Sequence, residues 1–229
     1  MDRILEPELM TDDAQALAYA QADFEQVNQG FVDRFRASFP KGVGGTMVDL
    51  GCGPGDIPVR FARALPGYTI TAVDGSEPMV ILAQQAVKAA GVEERVRVLC
   101  ARLPMLPLPL QSFDAIVSNS LVHHIPDPYV FWNELVRLGK PGATVLIMDL
   151  FRPESPGRAR EMAEQYAADE APLLKQDYFN SLCAAFTLRE VRSQIRSRGL
   201  GGLVCELASD RHWVVWGHLP RGVQKTPPP

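Results

Sequence analysis

"VDLGCGPGD", residues 48–56, is the stretch that decides how this chain is read. Apolar and acidic residues run straight into three glycines spaced by two, Gly51, Gly53 and Gly55, and the run ends on an aspartate. Glycine tolerates positive φ and has no Cβ to hold a bound molecule off the backbone. A helix starting just after such a loop offers unpaired N–H groups. The loop is shaped for close contact with something flat or polar.

Outward from it, "TMVDL" is a short buried strand, and residues 56–65 return to helical spacing through Ile57, Phe61, Ala64 and Leu65. "YTITAVD" is a second strand ending at Asp74, and Ser76 caps a helix that Gly91 stops. "RVRVLC", "FDAIVSNS" and "PGATVLIMDL" supply three more strands. The proline-rich "RLPMLPLPLQ" between the third and fourth must be loop. "IPDPYVFWNELVRLG" reads as a helix with an Asp cap, ending at Gly139. Before the glycines, residues 12–39 carry one or two helices ended by Pro40, and "KGVGG" is a flexible loop. After the fifth strand, residues 155–183 are mainly helical, and Thr187 with Glu190 forms a capping box. "GLVCELA" and "HWVVWGHL" pair as a hairpin around "SDR".

Strand and helix alternate five times before that hairpin. The pattern predicts an α/β fold: a doubly wound, mostly parallel sheet of seven strands, helices on both faces, and an antiparallel C-terminal hairpin. One domain is expected over residues 1–229. Its parts are an N-terminal helical lid (1–45), a ligand-binding core (46–150), a helical insert (151–186), a last helix and hairpin (187–219) and a flexible tail (220–229).

With 46% hydrophobic residues the chain can build a core, and a net charge of −4 gives no polyanion-binding signature. Nucleic acid is therefore not an expected partner. No uncharged apolar run reaches the ~18–20 residues of a membrane helix, and the acidic N-terminus lacks a signal-peptide pattern. Cys52, Cys100, Cys183 and Cys205 lie too far apart for a zinc motif or a disulfide framework, which suits a reducing cytoplasm. Oligomeric state is not legible.

Asp74 lies at the end of the next strand, where a carboxylate can bind ribose hydroxyls. A dinucleotide enzyme wants G-x-G-x-x-G, and here the third glycine comes one residue early. A nicotinamide-dependent oxidoreductase is disfavoured on that ground and by the lack of a Tyr-x-x-x-Lys pair. "VDLGCGPGD" instead resembles the first motif of class I S-adenosylmethionine-dependent methyltransferases. "VDGSEPMVILAQQ" is similar to their second-strand motif. "LPLPLQSFDAIVSNSLVHHIPDP" and "ELVRLGKPGATVLIMDL" resemble the fourth-strand and fifth-strand regions of the branch that acts on small molecules. The matches cover roughly residues 46–150.

The resemblance implies a Rossmann-like fold, S-adenosyl-L-methionine as cofactor, S-adenosyl-L-homocysteine as product and a small-molecule methyl acceptor. It implies that Asp49, Gly51, Cys52, Gly53 and Gly55 face the methionine part and ribose, and that Asp74 holds the ribose hydroxyls. Gly75 and Met79 border the adenine. Arg102 stands where many relatives carry an acid that reads the adenine amino group, with Leu103 beside it. Arginine accepts no hydrogen bond, so it either turns away or stacks on the ring. Asn119 lies beneath the methionine moiety. A non-catalytic module that keeps the cofactor fold without turnover is the other alternative.

Methyl transfer is an in-line displacement that needs alignment and exclusion of water, with a base only for a protonated acceptor. His123 and His124 follow the fourth strand. His123 can deprotonate or orient the acceptor, and His124 can brace the loop. As a metal site the pair lacks an evident third ligand. Tyr19, Phe24 and Asn28 on the lid are expected to face Tyr178, Phe179 and Asn180 on the insert. The hairpin turn Asp210–Arg211–His212 can reach the acceptor, and Asp149 with Arg152 can bind an amino-acid-like one. The candidate catalytic residues are His123, Tyr178 and His212.

Overall fold

Side chains alternate across a strand, and along β1 (Gly45–Leu50) this sends Val48 and Leu50 into one apolar layer and Met47 into another. Both faces are therefore buried, which a parallel sheet requires. The computed structural model describes residues 1–6, 12–40 and 44–222. The "KGVGG" loop falls partly, and the "QKTPPP" tail wholly, outside these residues.

β1 continues through the glycine loop into α3 (Asp56–Ala64), then β2 (Tyr68–Asp74), α4 (Glu77–Ala89), β3 (Val96–Cys100) and β4 (Phe113–Asn119). A 3₁₀ turn (Val122–His124), unforeseen in the sequence, leads to α5 (Pro128–Leu138), which runs directly into β5 (Gly139–Leu150). The sheet order is β3-β2-β1-β4-β5-β7-β6, with β6 (Val204–Leu207) and β7 (His212–His218) forming the antiparallel hairpin. β1 pairs in parallel with both β2 and β4, so strand order reverses beside it and a crevice opens past its carboxyl end.

On one face α2 (Glu25–Ser38), α3 and α4 cover the sheet, with Phe31 and Phe35 packed edge-on against Phe61 at an interplanar angle of 82°. On the other, α5 and α8 (Leu188–Ser197) bring Phe131, Trp132, Leu135, Val191 and Ile195 against Trp213. The Trp132 indole donates to Gln194 Oε1 at 3.0 Å, which satisfies the one polar atom it buries.

Two regions stand at the crevice end. α1 (Asp13–Gln21) precedes α2, and the stretch after β5 forms α6 (Pro156–Tyr166) and α7 (Pro172–Ala184). Gln15 of α1 donates to Asp177 of α7 at 2.8 Å. Residues 1–6 run beneath α7. There Ile4 N donates to the Cys183 carbonyl, and the Arg3 guanidinium donates to the carbonyls of His123, Ile125 and Pro126.

Candidate active site

The three glycines do different work. A Cβ on Gly55 would lie 2.8 Å from Ala83 Cα, and its φ is +91°, so this residue lets α3 start hard against α4. A Cβ on Gly51 would meet Leu121 at 2.9 Å. Gly53, at φ +53°, has nothing within 4 Å of such a Cβ, so it is the member of the trio that faces open space.

The loop is tied to the end of β2. Gly53 N donates to Asp74 Oδ2 at 2.8 Å and Ser76 N to Oδ1 at 2.9 Å. Burial raises the Asp74 carboxyl above its usual range, against the pull of these backbone donors. Asp74, Gly75, Gly51, Arg102, Leu103 and His124 are among the residues lining one hollow. Arg102 is exposed and donates through Nε to the Gly75 carbonyl at 3.2 Å, which holds it at the rim. A second hollow, between α6 and α7, shares no lining residue with this one.

Beneath the loop Asp49 is 1% exposed, and neither carboxylate oxygen has a hydrogen-bond partner among the described residues. Burial, and after it the Asp74 charge, push its carboxyl up to about 8. A buried carboxylate left unpaired costs several kcal/mol or stays protonated. Asn119 Oδ1, at the end of neighbouring β4, is also buried without a partner, and so is the Tyr178 hydroxyl on α7. The two unpartnered groups on neighbouring β1 and β4, Asp49 and Asn119, suit a polar, cationic ligand.

Other expected residues are placed otherwise. Cys52 is 6% exposed and its side chain packs into the α3–α4 face of the core, near the Asp49 and Asp74 charges. Met79 is buried in the first turn of α4 and does not line the hollow. Asp149 and Arg152 do not pair. Arg152 reaches the Ala185 carbonyl and Glu190, while Asp149 takes His123. Asn28 donates to Asp56 and Asn180 accepts from Gln176, so neither spans the lid.

His123 is 3% exposed. Its Nδ1 is in close contact with Asp149 Oδ1, its backbone N donates to Asp149 Oδ2 at 3.1 Å, and its Nε2 lies 3.5 Å from Glu6 Oε1. Burial pulls the imidazole down, but the charges of Asp149 and then Glu6 outweigh it and hold the ring above its ordinary value. The same contact holds Asp149 below the usual carboxylate range despite burial. His124 Nδ1 stands 3.2 Å from the same Glu6 oxygen. Sequence reasoning named Asp149 but set it with Arg152 rather than His123, and it missed Glu6, which no local pattern marks.

Tyr19 of α1 closes toward these groups. Burial and the carboxylates of Asp74 and Asp149 push its hydroxyl up to about 12. Burial, against the pull of the Arg211 charge, does the same for Tyr178, also to about 12. At the hairpin turn Asp210 accepts from the Tyr166 hydroxyl and Arg211 stacks on the Tyr166 ring, so the turn closes on α6. His212 is 7% exposed, its Nδ1 lies 3.0 Å from Ser209 Oγ, and burial with the Arg211 charge pushes it down to about 4.

Residues 48–147 match the family described as a methyltransferase domain. An uncharacterized methyltransferase of Mycobacterium tuberculosis is 30% identical over 174 residues, spanning 74% of this chain and 85% of that one. A 27-O-demethylrifamycin SV methyltransferase of Amycolatopsis mediterranei is 27% identical over 179 residues, 78% of this chain and 62% of the relative. A solved structure of a putative S-adenosyl-L-methionine-dependent methyltransferase from Methanococcus maripaludis superposes with a TM-score of 0.70 at 17% identity, over 96% of this chain and 100% of that one. That likeness concerns the fold, and the mycobacterial relative carries the kinship. The glycine loop, its acid one strand over and these likenesses agree, and the chain belongs to the class I S-adenosylmethionine-dependent methyltransferases.

Proposed function

We propose that the enzyme methylates a small molecule held at the carboxyl edge of β4 and β5, under the cover formed by residues 1–6, 12–40 and 151–186. The observation that carries this reading is Asp49, a buried carboxylate with no protein partner under a loop whose middle glycine faces open space. Asp49 and Asn119 would hold the amino-acid end of the cofactor, Asp74 its ribose, and Gly75, Arg102 and Leu103 the adenine side. Bound there, S-adenosylmethionine supplies a methyl group on a positively charged sulfur.

The chain's own residues align and shield the acceptor. Tyr178 offers a hydroxyl that remains a donor throughout the neutral range, since it is pushed up to about 12 and has no partner to give it to. His212, pushed down to about 4, is neutral at pH 7 and orients rather than removes protons. His123 is fixed by Asp149 and directs Nε2 toward Glu6. Its proposed role is to position the acceptor, because both ring nitrogens already face carboxylates. Tyr19 closes the lid over the Asp74 and Asp149 carboxylates and keeps water from them. A small-molecule acceptor is supported by the likeness to the rifamycin methyltransferase. Four free thiols support a cytoplasmic setting.

The test is incubation with S-adenosylmethionine bearing a trideuterated methyl group and a metabolite extract. The expected result is a low-molecular-weight product labelled with that group and formed only with active enzyme. Label appearing solely in protein or nucleic acid would overturn the small-molecule reading.

A further inference from the structure

We propose that Glu6, His123 and His124 form a binding site for a divalent first-row transition cation on the acceptor side of the cofactor hollow. Glu6 Oε1, His123 Nε2 and His124 Nδ1 all lie within 4.8 Å of one another. The carboxylate oxygen is 3.5 Å from one nitrogen and 3.2 Å from the other. Metal–ligand bonds of ~2.0–2.1 Å in a tetrahedral site set ligand atoms about 3.3 Å apart. The carboxylate oxygen thus already stands from both nitrogens near the spacing an ion imposes, and the two nitrogens lie within 4.8 Å of each other.

Two features around the cluster have the form of a metal site's supports. Asp149, fully buried, engages His123 Nδ1 and is itself fixed by the backbone N–H groups of His123 and Leu150. A carboxylate behind a histidine selects the tautomer and aims the other nitrogen at a metal. Glu6 is steadied through its second oxygen, which accepts from Ser181 Oγ at 3.2 Å and leaves Oε1 turned to the imidazoles. The 3₁₀ turn lets consecutive histidines converge, their ring centroids 4.1 Å apart, one through Nε2 and the other through Nδ1.

Two imidazoles and one carboxylate suit Zn²⁺, Fe²⁺ or Co²⁺ and poorly suit Mg²⁺ or Ca²⁺, which prefer oxygen. His123 and Glu6 are almost closed off, whereas the His124 side chain is 27% exposed and lines the cofactor hollow. The remaining coordination position therefore opens toward the acceptor. The ion would take an oxygen of the acceptor and lower the pKa of a hydroxyl there. Ion binding stands on the cluster alone. Only the identity of the oxygen ligand rests on the methyl-transfer reading.

The experiment uses the full chain without a polyhistidine tag, stripped with EDTA, dialysed and titrated with Co²⁺. One equivalent should produce the visible absorption of a four- or five-coordinate Co²⁺ site, and Zn²⁺ should abolish it. Glu6→Gln and His124→Ala should each weaken Co²⁺ binding by at least about tenfold, and Asp149→Asn by about 10–100-fold. Thermal melts confirm that each variant is folded, and Glu6→Gln suffices should a histidine variant not fold. No visible band in the wild type would overturn the proposal, as would an affinity unchanged by Glu6→Gln. Calorimetry with S-adenosylhomocysteine on the same stripped protein separates the two readings. A Co²⁺ band without nucleoside binding retains the site and removes the methyl-transfer role, and the converse does the reverse.

Discussion

Gly53 and Gly55 look alike in the sequence and differ in what a methyl group would meet. Gly55→Ala puts a Cβ into the backbone of α4 at positive φ, so it should cost more than the ~1–2 kcal/mol of left-handed backbone alone. Gly53→Ala should cost only about that amount, because its Cβ enters open space, yet it should weaken S-adenosylhomocysteine binding. Denaturant melts and calorimetry on both variants check the contrast; equal stability losses would mean that both glycines serve packing. Asp74 and His123 divide in a related way. Asp74→Ala should raise the cofactor Kd about 10–100-fold, the value of one charge-assisted hydrogen bond, and leave saturated turnover closer to wild type. His123→Ala should lower kcat about 10²-fold with little effect on cofactor Kd. A cofactor Kd unchanged by the first substitution, or raised equally by the second, would remove the assigned roles.

At the scale of elements, local chemistry made the secondary structure legible. Ser76, Asp127 and Thr187 each accept a hydrogen bond from the first turn of the helix they precede, as their spacing predicts. Thr187 also completes a reciprocal pair with Glu190, whose carboxylate accepts from the Thr187 N–H at 2.7 Å. Thr187→Ala should destabilise the protein by ~1 kcal/mol in chemical denaturation, and Thr187→Ser by much less. The 3₁₀ turn escaped notice because three residues carry no period. The glycine loop and Asp74 were legible because a strand, a turn and a helix follow one another in the chain. Glu6 was not, since its partners are brought to it by α7 and the turn after β4 rather than by sequence spacing. Asp149 and Arg152, expected to hold an acceptor together, are engaged separately, with His123 and with Glu190, for a related reason. Charge alone suggested that pairing, whereas strand alternation and the β4–β5 register turn Asp149 toward His123.

For the molecule as a whole, the Asp49 carboxyl couples proton binding to both stability and cofactor binding. Its value in the folded chain is raised from 3.8 to about 8. A raised acid favours the folded state at low pH, and that contribution is lost as pH climbs through the folded value. The ligand-free protein should therefore lose stability progressively from about pH 4 to about pH 8 and level off above that. On the proposed placement of the cofactor, its α-ammonium next to Asp49 would favour the ionised form, so binding below pH 7.5 should release a proton. Affinity for S-adenosylhomocysteine should then rise from pH 5.5 to 7.5, by at most about tenfold per unit. At a ligand concentration of 100 times Kd the stabilisation is about 2.7 kcal/mol, or roughly 5–10 °C in Tm for a chain of this size. That shift, at fixed ligand concentration, should be smaller at pH 5.5 than at 7.5. Asp49→Asn should flatten both trends and raise the ligand-free Tm at pH 8.5 relative to wild type. Calorimetry in two buffers of different ionisation enthalpy measures the proton directly. No release at pH 6.5 would show that Asp49 does not meet the ligand's charge, and with it the carboxylate under the loop would lose its part in holding the cofactor.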